Sequence, residues 1–247
     1  MSTVKEEQQQ DQQQFDADVT KPRHRSNLPL ETPEAFSRLE EYVNRNKNII
    51  TAVVGGLVLL ISGYFAFKYL YLEPKEIEGQ KQIFVAQRNM ESGQLEKALN
   101  GDNNYPGFLR IIDEYKWTKA ANLSHYYAGS IYLQQGKFDD AISHLKDFDG
   151  KKTAVQAMAF GLIGDAYTEK GNFDEGIDHY KKAAYTVENE ATTPFFLKKA
   201  ALALEHEKKN DEALKLYKEI KSKYPNSAES RDAEKAVFRL EASTTAK

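Results

Sequence analysis

Between Lys47 and Lys68 the chain has no charged side chain; the stretch reads Asn-Ile-Ile-Thr-Ala-Val-Val-Gly-Gly-Leu-Val-Leu-Leu-Ile-Ser-Gly-Tyr-Phe-Ala-Phe. At about 1.5 Å of rise per residue, such a run matches a hydrocarbon core of about 30 Å, so residues 49–72 are expected to cross a bilayer as one helix. A secretory leader has a shorter apolar core, close to the N-terminus and ending in small residues. This run starts well inside the chain and ends Tyr-Phe-Ala-Phe-Lys-Tyr. The core helix of a soluble protein would carry a polar residue every turn or two. Here only Thr51 and Ser62 interrupt, and both can bond a backbone carbonyl one turn back. The run reads as a retained anchor.

The anchor sorts the rest of the chain onto two sides. Arg38, Arg45 and Lys47 precede it closely, with Lys21, Arg23 and Arg25 further back; beyond it Lys68, Lys75 and Lys81 are mixed with Glu73, Glu76 and Glu78. Short basic segments stay in the cytoplasm, which puts residues 1–48 there and residues 73–247 across the membrane. Tyr64, Tyr69 and Tyr71 suit the interface at the exit. Residues 1–30, Gln-rich and poor in apolar side chains, are expected to be disordered. Residues 31–48 form an amphipathic juxtamembrane helix in this reading, with Thr32 as its N-cap, Pro33 in its first position and Phe36, Leu39 and Val43 on one face. Within the anchor, Ala52 with Gly56, and Ser62 with Ala66, set small residues four apart, a spacing that lets membrane helices approach closely.

Composition removes several functions. A net charge of -3 leaves no electrostatic footprint for nucleic acid, and a cysteine count of 0 excludes disulfides, thiolate catalysis and Cys-based zinc sites. Glu73-Pro74 is expected to break the helix, which resumes from Glu76 to Met90. A pattern then recurs. His125-Tyr-Tyr-Ala-Gly129-Ser-Ile-Tyr132, followed by Gly136, Phe138 and Ala141, is echoed by Phe160-Gly-Leu-Ile-Gly164-Asp-Ala-Tyr167, followed by Gly171, Phe173 and Gly176. A third copy runs through Leu197, Ala201, Leu204, Asn210, Ala213 and Tyr217, with a few inserted residues around Asn189 to Pro194. An irregular earlier copy covers about 80–115, with Ala98 as its small crossing residue and Asn100 to Pro106 as an insertion. After Tyr224-Pro-Asn-Ser227 a last helix, Ala228 to Leu240, caps the stack, with Ser227 or Asn226 at its N-cap.

Catalytic chemistry finds little support in the residues. The histidines are 5 in number; His144 and His179 share a repeat position, His125 sits where its siblings have Phe160 and Leu197, and no H-x3-H spacing appears. Packing roles explain them. Acidic pairs such as Asp139-Asp140 and Asp174-Glu175 fall at the starts of second helices, where the helix dipole favours them. There is no Gly-rich phosphate loop or nucleophile elbow. The expectation is a chain without an active site, metal or cofactor.

These small-residue and aromatic positions resemble the tetratricopeptide repeat, W-x2-L-G-x2-Y followed by A-x3-F and P. The expected fold is therefore all-α, a single transmembrane helix followed by a tetratricopeptide-repeat-like α-solenoid over residues 73–247. In such stacks the first helix of each pair lines a groove that receives partner segments. By that analogy the groove candidates are Tyr126, Ser130, Leu133, Asp165, Thr168, Glu169, Lys198, Leu202 and Glu205.

An anchor followed by such a domain, together with Phe108-Leu and Ile111-Ile-Asp-Glu-Tyr115, then Ala120 and Tyr126-Tyr-Ala-Gly129, resembles the YfgM-type ancillary subunits of the Sec translocon in Gram-negative bacteria. That resemblance implies an inner-membrane protein whose periplasmic domain works beside SecYEG with a PpiD-like chaperone, handling newly translocated polypeptides at the lipid surface. The alternative is a structural scaffold for another envelope complex, in division, motility or outer-membrane assembly.

Overall fold

The computed structural model describes residues 33–245, all of whose regular elements are helical. The tail expected over residues 1–30 and the Thr32 cap lie outside these residues. The chain divides into two units, Met1–Tyr64 and Phe65–Lys247.

In the first unit α1 runs Pro33–Arg45 and α2 begins at Lys47, continuing to Ala66. The side chains of Phe36 and Val43 are exposed. No residue of α2 is buried, and a Cβ built on Gly56 would meet nothing within 4 Å. The small pairs Ala52–Gly56 and Ser62–Ala66 thus lie on an exposed helix surface. Among the described residues, one helix is long and apolar enough to cross a membrane by length and composition.

The second unit opens on a turn of π-helix, Phe67–Leu72, and passes directly into α3, Glu73–Glu91. The break expected at Glu73-Pro74 does not occur. Proline removes a backbone donor, and it is tolerated where that donor lies in the first turn of a helix. Here the widened π turn supplies that junction: Glu73 N–H bonds back to the Lys68 carbonyl.

Beyond α3 the chain is a series of helical hairpins. These are α3 with α4 (Leu95–Asn100), α6 (Lys119–Gln134) with α7 (Phe138–Asp147), α8 (Ala154–Glu169) with α9 (Phe173–Thr186), and α10 (Thr192–His206) with α11 (Asn210–Lys223). Each first helix ends in the same closure. Gly93, Gly136, Gly171 and Lys208 stand at φ 74°, 72°, 80° and 60°. Their N–H groups, and those of the residues after them, bond back to the last turn, as in Gly136 to Leu133 at 3.0 Å and Lys137 to Tyr132 at 2.9 Å. This is the paired arrangement that satisfies the orphan carbonyls of a helix end. The starts are set by threonines: Thr118 accepts from Ala121 N–H at 3.1 Å and Thr153 from Gln156 N–H at 3.4 Å.

In the first hairpin the second helix is cut by a pinched loop. Gly101 and Pro106 pair as an isolated bridge, and Asp102 accepts from the backbone of Asn104 and Tyr105. The chain then resumes as α5, Phe108–Glu114. The last helix, α12, spans Ser230–Thr245, starting later than expected because the chain makes a further turn in which Ser230 N–H bonds to the Ser227 carbonyl. Ser227 does not cap it: its Oγ is buried without a hydrogen-bond partner.

Small residues set the spacing within each hairpin. Ala86 with Ala98, Gly129 with Ala141, Gly164 with Gly176, and Ala201 with Ala213 are all buried. A Cβ added to Gly129 would lie 2.6 Å from Leu145 Cγ, and one added to Gly164 would lie 2.6 Å from Tyr180 Cδ1. Close helix approach therefore needs glycine at both positions.

Candidate functional site

Leu145, Tyr180 and Tyr217 lie at matching positions on the second helices α7, α9 and α11, and all three are buried. A phenol differs from an isobutyl group by carrying a donor at its far end, which must find a partner when buried. The Tyr180 hydroxyl donates to Asp165 Oδ1 at 2.6 Å and lies 3.1 Å from Thr168 Oγ1. From the next hairpin, Lys199 Nζ donates to the same Asp165 oxygen at 2.6 Å. One hairpin later the chemistry repeats: Tyr217 donates to Glu205 Oε1 at 2.8 Å, and Arg239 of α12 grips Glu205 with two bonds of 2.6 and 3.0 Å. Between them Lys198 donates to Asp232 at 2.5 Å.

The result is a polar ladder along the last two hairpins: Asp165 on α8 and Glu205 on α10 each take a phenol from the paired helix and a cation from the next first helix or from α12, and the Lys198–Asp232 pair runs the opposite way. Burial, and then the hydrogen bond to the neighbouring carboxylate, push the Tyr180 and Tyr217 phenols well above their ordinary range. The Arg239 hydrogen bond, aided by Tyr217, holds the Glu205 carboxyl below its usual range. Across neutral pH the Tyr180 and Tyr217 phenols therefore stay protonated donors and Glu205 stays a charged acceptor.

Of the groove candidates, Leu133, Asp165, Thr168 and Glu169 line one depression with Phe138, Tyr180 and Lys199. Lys198 and Leu202 line a second with Tyr217, Asp232, Lys235 and Arg239. Glu205 is bonded to two residues of that second depression. Tyr126 lines neither depression; its ring packs on Phe148, just past the end of α7, at 5.5 Å and on its neighbour Tyr127 at 5.4 Å. Ser130 is half-buried and lines neither depression. Reading first helices alone missed Tyr180, Tyr217, Asp232 and Arg239, and within first helix α10 it took Lys198 and passed over Lys199. The exchange of Leu145 for tyrosine at matching repeat positions was the signal that could have found the phenols.

The histidines lie on other helix contacts. His144 stacks on Tyr132 and His179 packs against Tyr167, each pair at 5.3 to 5.4 Å between ring centres. His125 and His144 face each other with their Nδ1 atoms 3.2 Å apart, and burial pushes both below their ordinary range. Among the described residues no group of three or more His, Cys, Asp or Glu side chains gathers in a way that could hold a metal ion.

No curated protein matches the chain. A family model does match, over residues 66–247, described as T7SS, ESX-1 secretion system protein EccA1, N-terminal domain. This overturns the Sec-translocon resemblance, and with it the SecYEG and PpiD-like partners and the inner-membrane, periplasmic chaperone setting. The envelope-scaffold alternative gives way to the same finding. The reason is physical. Phe108, Ile111 and Ala120 are buried, and Gly129 is held against Leu145, so the residues that carried the resemblance report how helices pack and say little about a partner. The match starts at the end of the apolar stretch and takes in every hairpin and the last helix, and on that extent the chain belongs to the family of the EccA1 N-terminal domain.

Proposed function

We propose that this chain is a membrane-tethered binding module of a type VII secretion system, a tetratricopeptide-like stack that holds a partner polypeptide and carries out no catalysis itself. The family match over residues 66–247 carries this reading, because the family's description names a component of the ESX-1 secretion system. The ladder supports it. Side chains such as Asp165, Thr168 and Glu205, held by bonds to phenols and cations, offer a preorganised surface on which a segment of partner chain loses little further entropy in binding. In this proposal α2 is a single transmembrane helix, and the basic residues before it keep the N-terminus in the cytoplasm.

The test is affinity isolation of the intact, tagged protein from detergent-solubilised membranes. Secretion-system components should co-purify, and a Lys198→Glu, Arg239→Glu variant that stays folded should recover several-fold less. Unchanged recovery with the variant would remove the ladder from the binding surface, and recovery of an unrelated complex alone would remove the secretion role. A reporter fused after Lys247 reads orientation: a signal confined to the cytoplasm would overturn the proposed topology.

A further inference from the structure

The chain has a Trp count of 1, and that residue, Trp117, is 72% exposed with φ at 67°. A bulky side chain in the left-handed region is uncommon and is retained where its surroundings hold it. Here they do. Thr118, on one side, bonds the Tyr115 carbonyl through both its N–H, at 3.1 Å, and its hydroxyl, at 2.6 Å, before capping α6. The turn is also clasped to α3: Lys75 Nζ donates to the Glu114 carbonyl at 2.6 Å, and Lys119 N–H donates to Glu76 Oε2 at 2.8 Å.

This turn sets the indole against Phe67, 5.9 Å between ring centres in an edge contact. Phe67 in turn stacks on Tyr71 at 5.3 Å, and Lys75 lies 4.9 Å over the Tyr71 ring. Phe67 and Tyr71 are themselves 44% and 43% exposed. The cluster is an open aromatic surface, and the exposed Lys68, Lys116 and Lys119 stand one or two residues from its rings in sequence. Phe67 is also the last residue of the uncharged run, next to Lys68.

We propose that the Trp117 turn is a second membrane contact, its indole seated in the lipid interface beside Phe67 and its lysines facing the phosphates. The inference rests on the reading of α2 as a span. If the span ends at Phe67, that ring lies at the boundary between hydrocarbon and headgroups, and Trp117 is within one ring's width of it. Tryptophan, with an apolar body and one N–H donor, is the side chain most at home at that depth, and lysines next to it meet anionic headgroups. The consequence is a first hairpin held on the bilayer surface by two points, the anchor and the indole.

Because Trp117 is the sole tryptophan, its emission reads the contact directly. The full-length protein is reconstituted in phosphatidylcholine–phosphatidylglycerol vesicles, with or without bromine on the acyl chains near the headgroups. The protein should float with the vesicles, and bromine should cut Trp117 emission at least twofold. A Phe67→Trp, Trp117→Phe variant marks the depth of the span's end and should be quenched as well. Flotation with Trp117 unquenched and the variant quenched would overturn the contact while leaving the anchor in place. Failure to float, or no quenching in either protein, would overturn both.

Discussion

Leu145 and Tyr180 occupy the same position in successive hairpins, each filling the space that a glycine on the paired helix leaves open, yet they do opposite things to the surface above them. Leu145 ends the core: it is fully buried and asks nothing of Ser130 or Leu133. Tyr180 carries a hydroxyl through the core to Asp165 and Thr168, and the carboxylate thus organised draws Lys199 from the next hairpin. One change of side chain turns a packing position into the base of a charged site. The depression between these hairpins is accordingly two-sided, with Leu133 and Phe138 facing Asp165, Glu169 and Lys199.

Breaking the apolar version should have the largest effect. Leu145→Ala empties a fully buried site and should cost about 2–5 kcal/mol in chemical denaturation, far more than any change confined to the ladder. A smaller effect, about 1–3 kcal/mol, is expected from Gly164→Ala, because the new Cβ would meet the Tyr180 ring at 2.6 Å. The third hairpin already has Ala201 there; a tolerated Gly164→Ala would show that the tyrosine positions are interchangeable after all. Tyr217→Phe keeps the ring and removes only the bond to Glu205, so a loss of about 0.5–1.5 kcal/mol is expected.

Acid sharpens the comparison further. Glu205 has a lowered pKa when folded, so its stabilising contribution is present above the ordinary glutamate range and is lost as pH falls through the folded value. Glu205→Gln should flatten that part of the acid limb in a pH series of melting temperatures; an unchanged limb would mean the ladder is not the group responsible. The smallest effect, under about 1 kcal/mol, should follow Lys170→Ala, which removes an exposed ion pair to Asp139.

Much of the all-helical architecture was legible because turns declare themselves: Gly136 and Gly171 stand where a left-handed residue is needed. The equivalent place in the next hairpin is held by Lys208, which carries no such signature; the interruption at Asn100 to Pro106 was legible as an insertion, and its closure as a Gly101–Pro106 pinch was not. Pro74 misled in a different way, because a proline stops a helix only when no neighbouring turn absorbs its missing donor. The candidate site was half legible. First-helix positions such as Asp165, Thr168 and Lys198 follow from periodicity, whereas the partners that complete each rung, Tyr180 and Lys199, Tyr217 and Arg239, and Asp232, come from a different helix in each case. Trp117 belongs to no repeat position, so no pattern singled it out.

Asp165 receives Lys199, Lys198 reaches Asp232, and Glu205 receives Arg239, each across the same separation of 34 residues. One of these ion pairs joins a hairpin to its successor and the other two join the last hairpin to α12, and none can close until the later segment has been made. During synthesis Asp165 waits for Lys199, and Lys198 and Glu205 then wait for the last helix, which supplies Asp232 and Arg239. The final helix is in that sense a completion signal: a chain cut short of it would keep its hairpins and lack the lock that ties them off.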